Sequence, residues 1–243
     1  SYMGKVMNGE HVFLSGVLQP VERVIYRVLK IDPEEDMDWK KYSVCAGVFS
    51  VLSLFVLWAI LCFQKFLPLN PEGIEGTSWH LGFNTAASFT TNTNWQAYSG
   101  ESTLSYFSQM LGLNFQNFVS AAIGIAVLFA LIRGFVRVKK TGIGNFYTDM
   151  TKTVLYILIP LSMVVSLTIA SQGVPQTFKQ YDEVQLLEPV VVENEDGTAT
   201  EVTKAVVPLG PGASQIAIKQ TGTNGGGFFG VNSAHPFENP NAL

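Results

Sequence analysis

The sequence predicts an all-α membrane protein in which spanning helices are joined by short re-entrant helices, with a small extracytoplasmic β-hairpin set apart from them. Three observations carry that fold class. Of 243 residues, 47% are hydrophobic and only 14% charged, well below the charged share of about 25% usual in soluble domains. Three long runs carry no formal charge at all. Between and after them lie neutral segments rich in Gly, Thr and Asn, too polar for a lipid-facing surface and too glycine-rich for a helix interior.

The spans come first. Tyr42 to Gln64, with "VCAGVFSVLSLFVLWAILCF", is apolar on every face, and its length of roughly 30 Å matches a bilayer core. "LNFQNFVSAAIGIAVLFALI", Leu113 to Ile132, offers Ser120, Ala121, Ala122 and Gly124 as small residues that let a neighbouring helix approach. "VLYILIPLSMVVSLTIA", Val154 to Ala170, carries Pro160 mid-run and predicts a kink there. Cys45 and Cys62 lie in one helix about 25 Å apart, too far to pair.

Charge then orients the spans. Lys5, Arg23, Arg27, Lys30, Lys40 and Lys41 precede the first, and Arg133, Arg137, Lys139, Lys140 and Lys152 lie between the second and third. No Lys or Arg occurs between Lys65 and Arg133. The positive-inside rule therefore places residues 1–43 and 134–152 in the cytoplasm and the segments after Lys65 and Ala170 outside. The lead segment contains "PVERVIYRVLK", with Val21, Val24, Ile25, Val28 and Leu29 on one face and Glu22, Arg23, Arg27 and Lys30 on the other. That pattern predicts an amphipathic helix on the inner membrane surface or on a partner subunit. Outside, "VVVENEDGTATEV" alternates around Asp196-Gly197 and predicts the hairpin. The net charge of -4, without a clustered basic face, excludes a nucleic-acid partner.

Two neutral segments hold the candidate chemistry. Thr77 to Thr90 is a helix candidate of roughly 20 Å, too short to cross a bilayer. Such a helix dips into the membrane and presents its C-terminal carbonyls, with their partial negative charge, to a cation. Thr91-Asn92-Thr93-Asn94 then returns with its own carbonyls turned inward, replacing an ion's hydration shell without formal charge. Pro211 to Gly222 repeats the device and runs into Thr223-Asn224-Gly225-Gly226-Gly227, where glycine permits backbone conformations that aim successive carbonyls at one axis. Rival readings of the glycine run are an ordinary loop and a phosphate cradle, the latter lacking a following Lys-Ser/Thr. His235 and Glu238 are candidate transition-metal ligands, but Pro236 and the lack of further ligands favour ordinary hydrogen bonding. His80 reads as a packing residue, and Trp79 and Trp95 as interface anchors.

"SFTTNTNWQAYSGESTLSYFSQM" and "GTNGGGFFGVNSAHPFENP", with "LPLNP" and "GIAVLFALIRGF", closely resemble the A-subunit family of the bacterial Kdp potassium-transporting ATPase. The resemblance covers nearly the whole chain. It implies potassium-channel-like helix, pore-loop, helix repeats around one K+ selectivity filter, in a multi-pass subunit of the bacterial plasma (inner) membrane. The family's filter positions carry over to Asn92, Thr93 and Asn94 and to Thr223, Asn224 and Gly225, with Gln96 following the first filter strand. K+ is the implied cargo; this chain is expected to bind no nucleotide and to be a non-catalytic subunit. The implied partners are the lipid bilayer, an ATP-hydrolysing P-type subunit and small accessory subunits. The resulting parse is a cytoplasmic segment (1–43), a first pore repeat (44–133, with spans 44–64 and 113–133 around a re-entrant loop 77–96) and a cytoplasmic loop (134–152). An incomplete second repeat (153–243) follows, with span 153–171, an extracytoplasmic loop 172–210 and a re-entrant loop 211–232. The family pattern has further repeats, so the chain is expected to be an N-terminal piece. Two rivals stand against this reading: a stand-alone ion-coupled transporter or channel of the same superfamily, and a membrane-embedded enzyme using His80, His235 and Glu238.

Overall fold

The computed structural model describes residues 1–137, 142–193 and 199–242. Ser1 caps a short helix, α1 (Tyr2–Met7), through the Gly4 amide. α2 (Ser15–Leu29) ends at Lys30 in the left-handed conformation. Asp38 opens the first long helix by accepting from the Lys41 amide at 2.8 Å, a capping role that satisfies one free N–H of the first turn. From it α3 (Trp39–Phe63) runs on through a 3₁₀ turn (Gln64–Phe66). Ser78 caps α4 (Trp79–Thr90), and α5 (Gly100–Thr103) is a single turn. A π-helical turn (Ser108–Asn114) leads into α6 (Phe115–Val136). Asn145 accepts from the Tyr147 and Thr148 amides to start α7 (Phe146–Lys152). A second π turn (Thr153–Leu158) joins it to α8 (Ile159–Ser171). After the antiparallel pair β1 (Asp182–Glu193) and β2 (Ala199–Val207) comes α9 (Gly212–Thr221).

Three continuous helices, Trp39–Phe66, Ser108–Val136 and Phe146–Ser171, are long and apolar enough to cross a membrane. Each extends beyond the uncharged run that announces it. The caps at Asp38 and Asn145 lie outside those runs, and helices continue through Lys40, Lys41 and Lys152 because a charge at a helix end does not break the backbone ladder. Large apolar side chains such as Val44, Phe55, Leu131, Phe135 and Leu167 are half or more exposed, as a lipid-facing surface requires. Pro160 lies within the third of these helices. It is the second residue of α8, directly after the π turn, and the Tyr156 carbonyl four residues before it, which a proline cannot serve, accepts from the Tyr2 hydroxyl at 3.1 Å.

Close helix approach is made by Ala122, Ala126 and Ala130, buried at four-residue spacing on α6 against Tyr42, Phe146, Met150 and Ile218. Gly124, expected to share that role, has open space where a Cβ would sit. Its side of α6 lines a cavity instead.

Long-range contacts gather the connecting segments at two ends of the helices. Met37 and Gly144 are joined by backbone, Asp36 takes Arg137 and the Gly144 amide, and Arg133 reaches the Met7 carbonyl. Those contacts put residues 1–38 and 142–146 at one end. At the other, Tyr106 bonds the Lys179 and Leu209 carbonyls and Gln180 bonds Pro71. Lys139 and Lys140 lie outside the described residues.

α2 corrects its expected faces. Glu22, assigned to the polar face with Arg23 and Arg27, is buried and accepts from Tyr26 and Tyr156, each at 2.7 Å. Tyr26 faces inward with it. Helical periodicity sorts polar from apolar residues but does not reveal that a carboxylate has two buried phenols waiting for it. Val17, Val21, Val24 and Val28 remain exposed.

The β pair is longer than the alternating stretch that predicted it, and its register shifts between Gln185 and Val190, where Pro189 has no N–H to donate. The expected turn at Asp196-Gly197 lies outside the described residues.

Candidate functional site

α4 and α9 end the same way. α4 stops at Thr90 with Thr91 as its C-cap, and α9 stops at Thr221 with Gly222 as its C-cap. The next residues then alternate in backbone hand. Asn92 and Asn94 have φ of 61°, Thr223 has φ of 56° and Gly225 has φ of 84°, while Thr93 and Asn224 keep ordinary negative φ. Counting from either helix end, the positive positions coincide. The structural register thus pairs Asn92 with Thr223 and Asn94 with Gly225, one residue out of step with the Thr-Asn dipeptide that the two stretches share. Left-handed backbone is uncommon outside glycine, tolerable for Asn, and unfavourable for a β-branched residue such as Thr. Strain of this kind, at about 1–3 kcal/mol per residue, persists only where surroundings enforce it.

The enforcing contacts bring the two stretches together. Asn94 donates to Asn117 Oδ1 at 2.9 Å, and the Asn224 amide donates to Asn92 Oδ1 and to the Asn117 carbonyl. Ser120 donates to Asn92 Oδ1 at 2.9 Å. Gln96 exchanges two bonds of 2.9 Å with the backbone of Gly227, while Gln109 reaches the Phe228 carbonyl and Glu101 accepts from the Gly230 amide. A Cβ on Gly226 would stand 2.1 Å from the Asn94 carbonyl oxygen, so the close approach of the two segments requires glycine there. All six residues singled out from the sequence, Asn92, Thr93, Asn94, Thr223, Asn224 and Gly225, belong to these paired segments.

A cavity of about 560 Å³ opens beside them, lined by Thr90 to Asn92, Ser120, Gly124 and Thr221 to Thr223. The last turns of two short helices therefore meet one space. Helix C-termini carry partial negative charge from free carbonyls, so the pair favours a cation over an anion there.

Sequence reading missed Asn117 and Gln109, which lie in or beside an apolar run and looked like span residues. Helical spacing could have singled out Asn117, three positions before Ser120 on one face. It also missed the partner of Glu238. That carboxylate is ion-paired with Lys219, both almost wholly buried, and burial pulls the Lys219 pKa below the ordinary lysine value. His235 stacks on Phe229 at 4.1 Å and accepts from the Phe237 amide. His80 stacks on Trp79 elsewhere. No cluster of three or more His, Cys, Asp or Glu able to hold a metal occurs among the described residues.

The fold and this paired-loop arrangement define a helical protein with three potential membrane spans and two short helices ending at one shared cavity. Comparison with known proteins names the group: the family model described as potassium-transporting ATPase A subunit matches residues 1–243, and the chain belongs to that family. Relatives called potassium-transporting ATPase potassium-binding subunit are 68% identical in Clostridium botulinum (strain Alaska E43 / Type E3), over 243 residues, and 64% in Clostridium perfringens, over 242. One in Desulfovibrio desulfuricans is 58% identical over 239 residues. These alignments take in 98–100% of this chain and 40–41% of each relative.

Proposed function

We propose that the chain supplies two pore loops of the K+ site of an ATP-driven potassium uptake pump. α4 and α9 are the re-entrant helices, and Asn92–Asn94 and Thr223–Gly225 are two stretches of a selectivity filter built of backbone carbonyls. The observation that carries this reading is the matched alternation of positive and negative φ at the ends of two helices that share one cavity. Alternating hand turns successive carbonyls to the same side, which is the arrangement that can replace the hydration shell of a cation. Neutral Asn, Thr and Gly do this without a formal charge that would hold the ion too tightly to release.

Within this reading 44–133 is one pore repeat and 153–243 the beginning of a second, and residues 1–43 and 134–152 are cytoplasmic. The subunit spans the bacterial plasma membrane and works with a P-type subunit that hydrolyses ATP, together with small accessory subunits. Family membership favours this pump role over a stand-alone ion-coupled transporter.

The test is the complete complex carrying Gly225→Ala. A Cβ at this position meets open space, so the substitution acts only through backbone strain, of about 1–3 kcal/mol. The complex should assemble, and the KM for K+ in K+-stimulated ATP hydrolysis should rise by about tenfold, which is 1.4 kcal/mol. Unchanged K+ affinity together with unchanged discrimination against Na+ would remove this backbone from the site.

A further inference from the structure

Lys219, in the last turns of α9, and Glu238, 19 residues later, form an ion pair whose side chains are 1% and 2% exposed. The pair is bound closely into the second loop. The Lys219 carbonyl accepts from the Asn224 amide at 3.0 Å. The Lys219 chain lies along Gly227, where a Cβ would be 3.3 Å from its Cδ. Ser233 donates to the same Glu238 oxygen that Lys219 holds. A well-packed apolar pair would fill this space with less desolvation cost, so stability alone does not account for two buried charges.

We propose that Lys219 and Glu238 are positioning residues that keep the backbone from Asn224 to Gly227 electrostatically neutral from behind, so that its cation affinity depends on the pair's net charge being zero. This rests on the reading of that backbone as part of a K+ site. In a poorly solvated interior an unbalanced unit charge is weakly screened and acts over several ångströms. An unpaired ammonium there opposes a cation in the loop. An unpaired carboxylate attracts one, and it does so for Na+ as well as K+, because a lone charge adds attraction without the geometric selectivity of ordered carbonyls.

The experiment measures the KM for K+, and stimulation by Na+, in K+-stimulated ATP hydrolysis by the purified complete complex, with assembly followed by size-exclusion chromatography. Glu238→Gln should raise the KM by about tenfold or more at the acid end of the assay range, where unpaired Lys219 keeps its proton, and Lys219→Met should lower it or introduce stimulation by Na+ at the alkaline end, where unpaired Glu238 is ionised. The neutral double variant, Lys219→Met with Glu238→Gln, should assemble and return the KM to within about threefold of the parent, as coupled charges do in a double-mutant cycle. Singles that shift the KM in the same direction, with an additive double, would overturn the proposal in favour of packing. So would a double variant that fails to assemble or that assembles with a tenfold weaker response. If neither single assembles, the double decides alone. Gly225→Ala in the same assay separates the two claims: no effect there removes the K+ site itself, whereas an effect there without opposite shifts from the pair removes only this inference.

Discussion

The segment after α4 and the segment after α9 follow the same alternating backbone path with different residues and different support. In the first, Asn92 and Asn94 occupy both left-handed positions, and their side chains reach Ser120 and Asn117 on α6. In the second, Thr223 and Gly225 occupy them. There the cross-tie comes from Asn224 between them, which donates to Asn92 and to the Asn117 carbonyl. The first loop is thus anchored to a spanning helix by the strained residues themselves. The second is laid against the first, with Gly226 allowing the close approach and the Gly227 backbone exchanging two bonds with Gln96. One conformation can be enforced either by polar side chains pointing backwards or by removing side chains so that another backbone can press in.

Neighbouring glycines offer the sharpest break of that comparison. Gly225→Ala meets open space, but Gly226→Ala puts a Cβ 2.1 Å from the Asn94 carbonyl oxygen, a backbone atom that cannot turn aside. Gly226→Ala should therefore separate the two loops and raise the KM for K+ of the complete complex by about a hundredfold or abolish assembly, the scale of overpacking at about 1–3 kcal/mol or more. Equal, mild effects of the two substitutions would show that the loops do not press together here.

Asn117 is the shared tie. Asn117→Ala removes an acceptor from Asn94 while leaving that amide buried, at a cost of about 1–3 kcal/mol. The expected result is a complex with a thermal midpoint lower by a few degrees and a K+ affinity reduced by about tenfold. Asn94→Ala combined with Asn117→Ala should cost less than the sum of the singles, since both delete one interaction. Additivity in that cycle would mean that Asn117 acts through something other than Asn94.

These residues also mark how much was legible beforehand. The three spans could be read because uncharged runs of bilayer length have few other uses, and the two loops because neutral, Gly- and Asn-rich segments between spans have nowhere soluble to go. Asn117 was hidden because a single polar residue inside an apolar run reads as tolerated rather than as a ligand to two distant loops. Glu22 was misplaced because its phenol partner Tyr156 is 134 residues away in sequence. The Lys219–Glu238 pair was obscured by a nearer histidine. In each case the missing information was a long-range partner, and periodicity carries only local spacing. The π turn before Pro160 was out of reach for a related reason, since a proline forbids one hydrogen bond but does not say how the chain compensates.

The smallest effect is expected at Thr223, and setting it beside the equivalent left-handed position Asn92 is the finest test of the comparison. Thr223 is exposed toward the cavity and holds a positive φ that a β-branched residue resists. Thr223→Gly relieves that strain, but glycine also gains freedom in the unfolded chain, a loss on folding of about 0.5–1 kcal/mol. The two terms oppose each other, so the thermal midpoint of the complex should move by no more than a few degrees in either direction. Asn92→Gly relieves less strain, because Asn tolerates the left-handed region, and it deletes the acceptor that serves both Ser120 and Asn224. It should destabilise by about 1 kcal/mol, because Ser120 loses its acceptor while the Asn224 side chain keeps the Asn117 carbonyl. Side-chain anchoring by Asn92 at the first position, where the second loop relies on the neighbouring Asn224, predicts this asymmetry at positions that the backbone treats as equivalent. Equal losses at Asn92 and Thr223 would mean that the Thr223 side chain supports the second loop after all, and that the two loops are held by the same means.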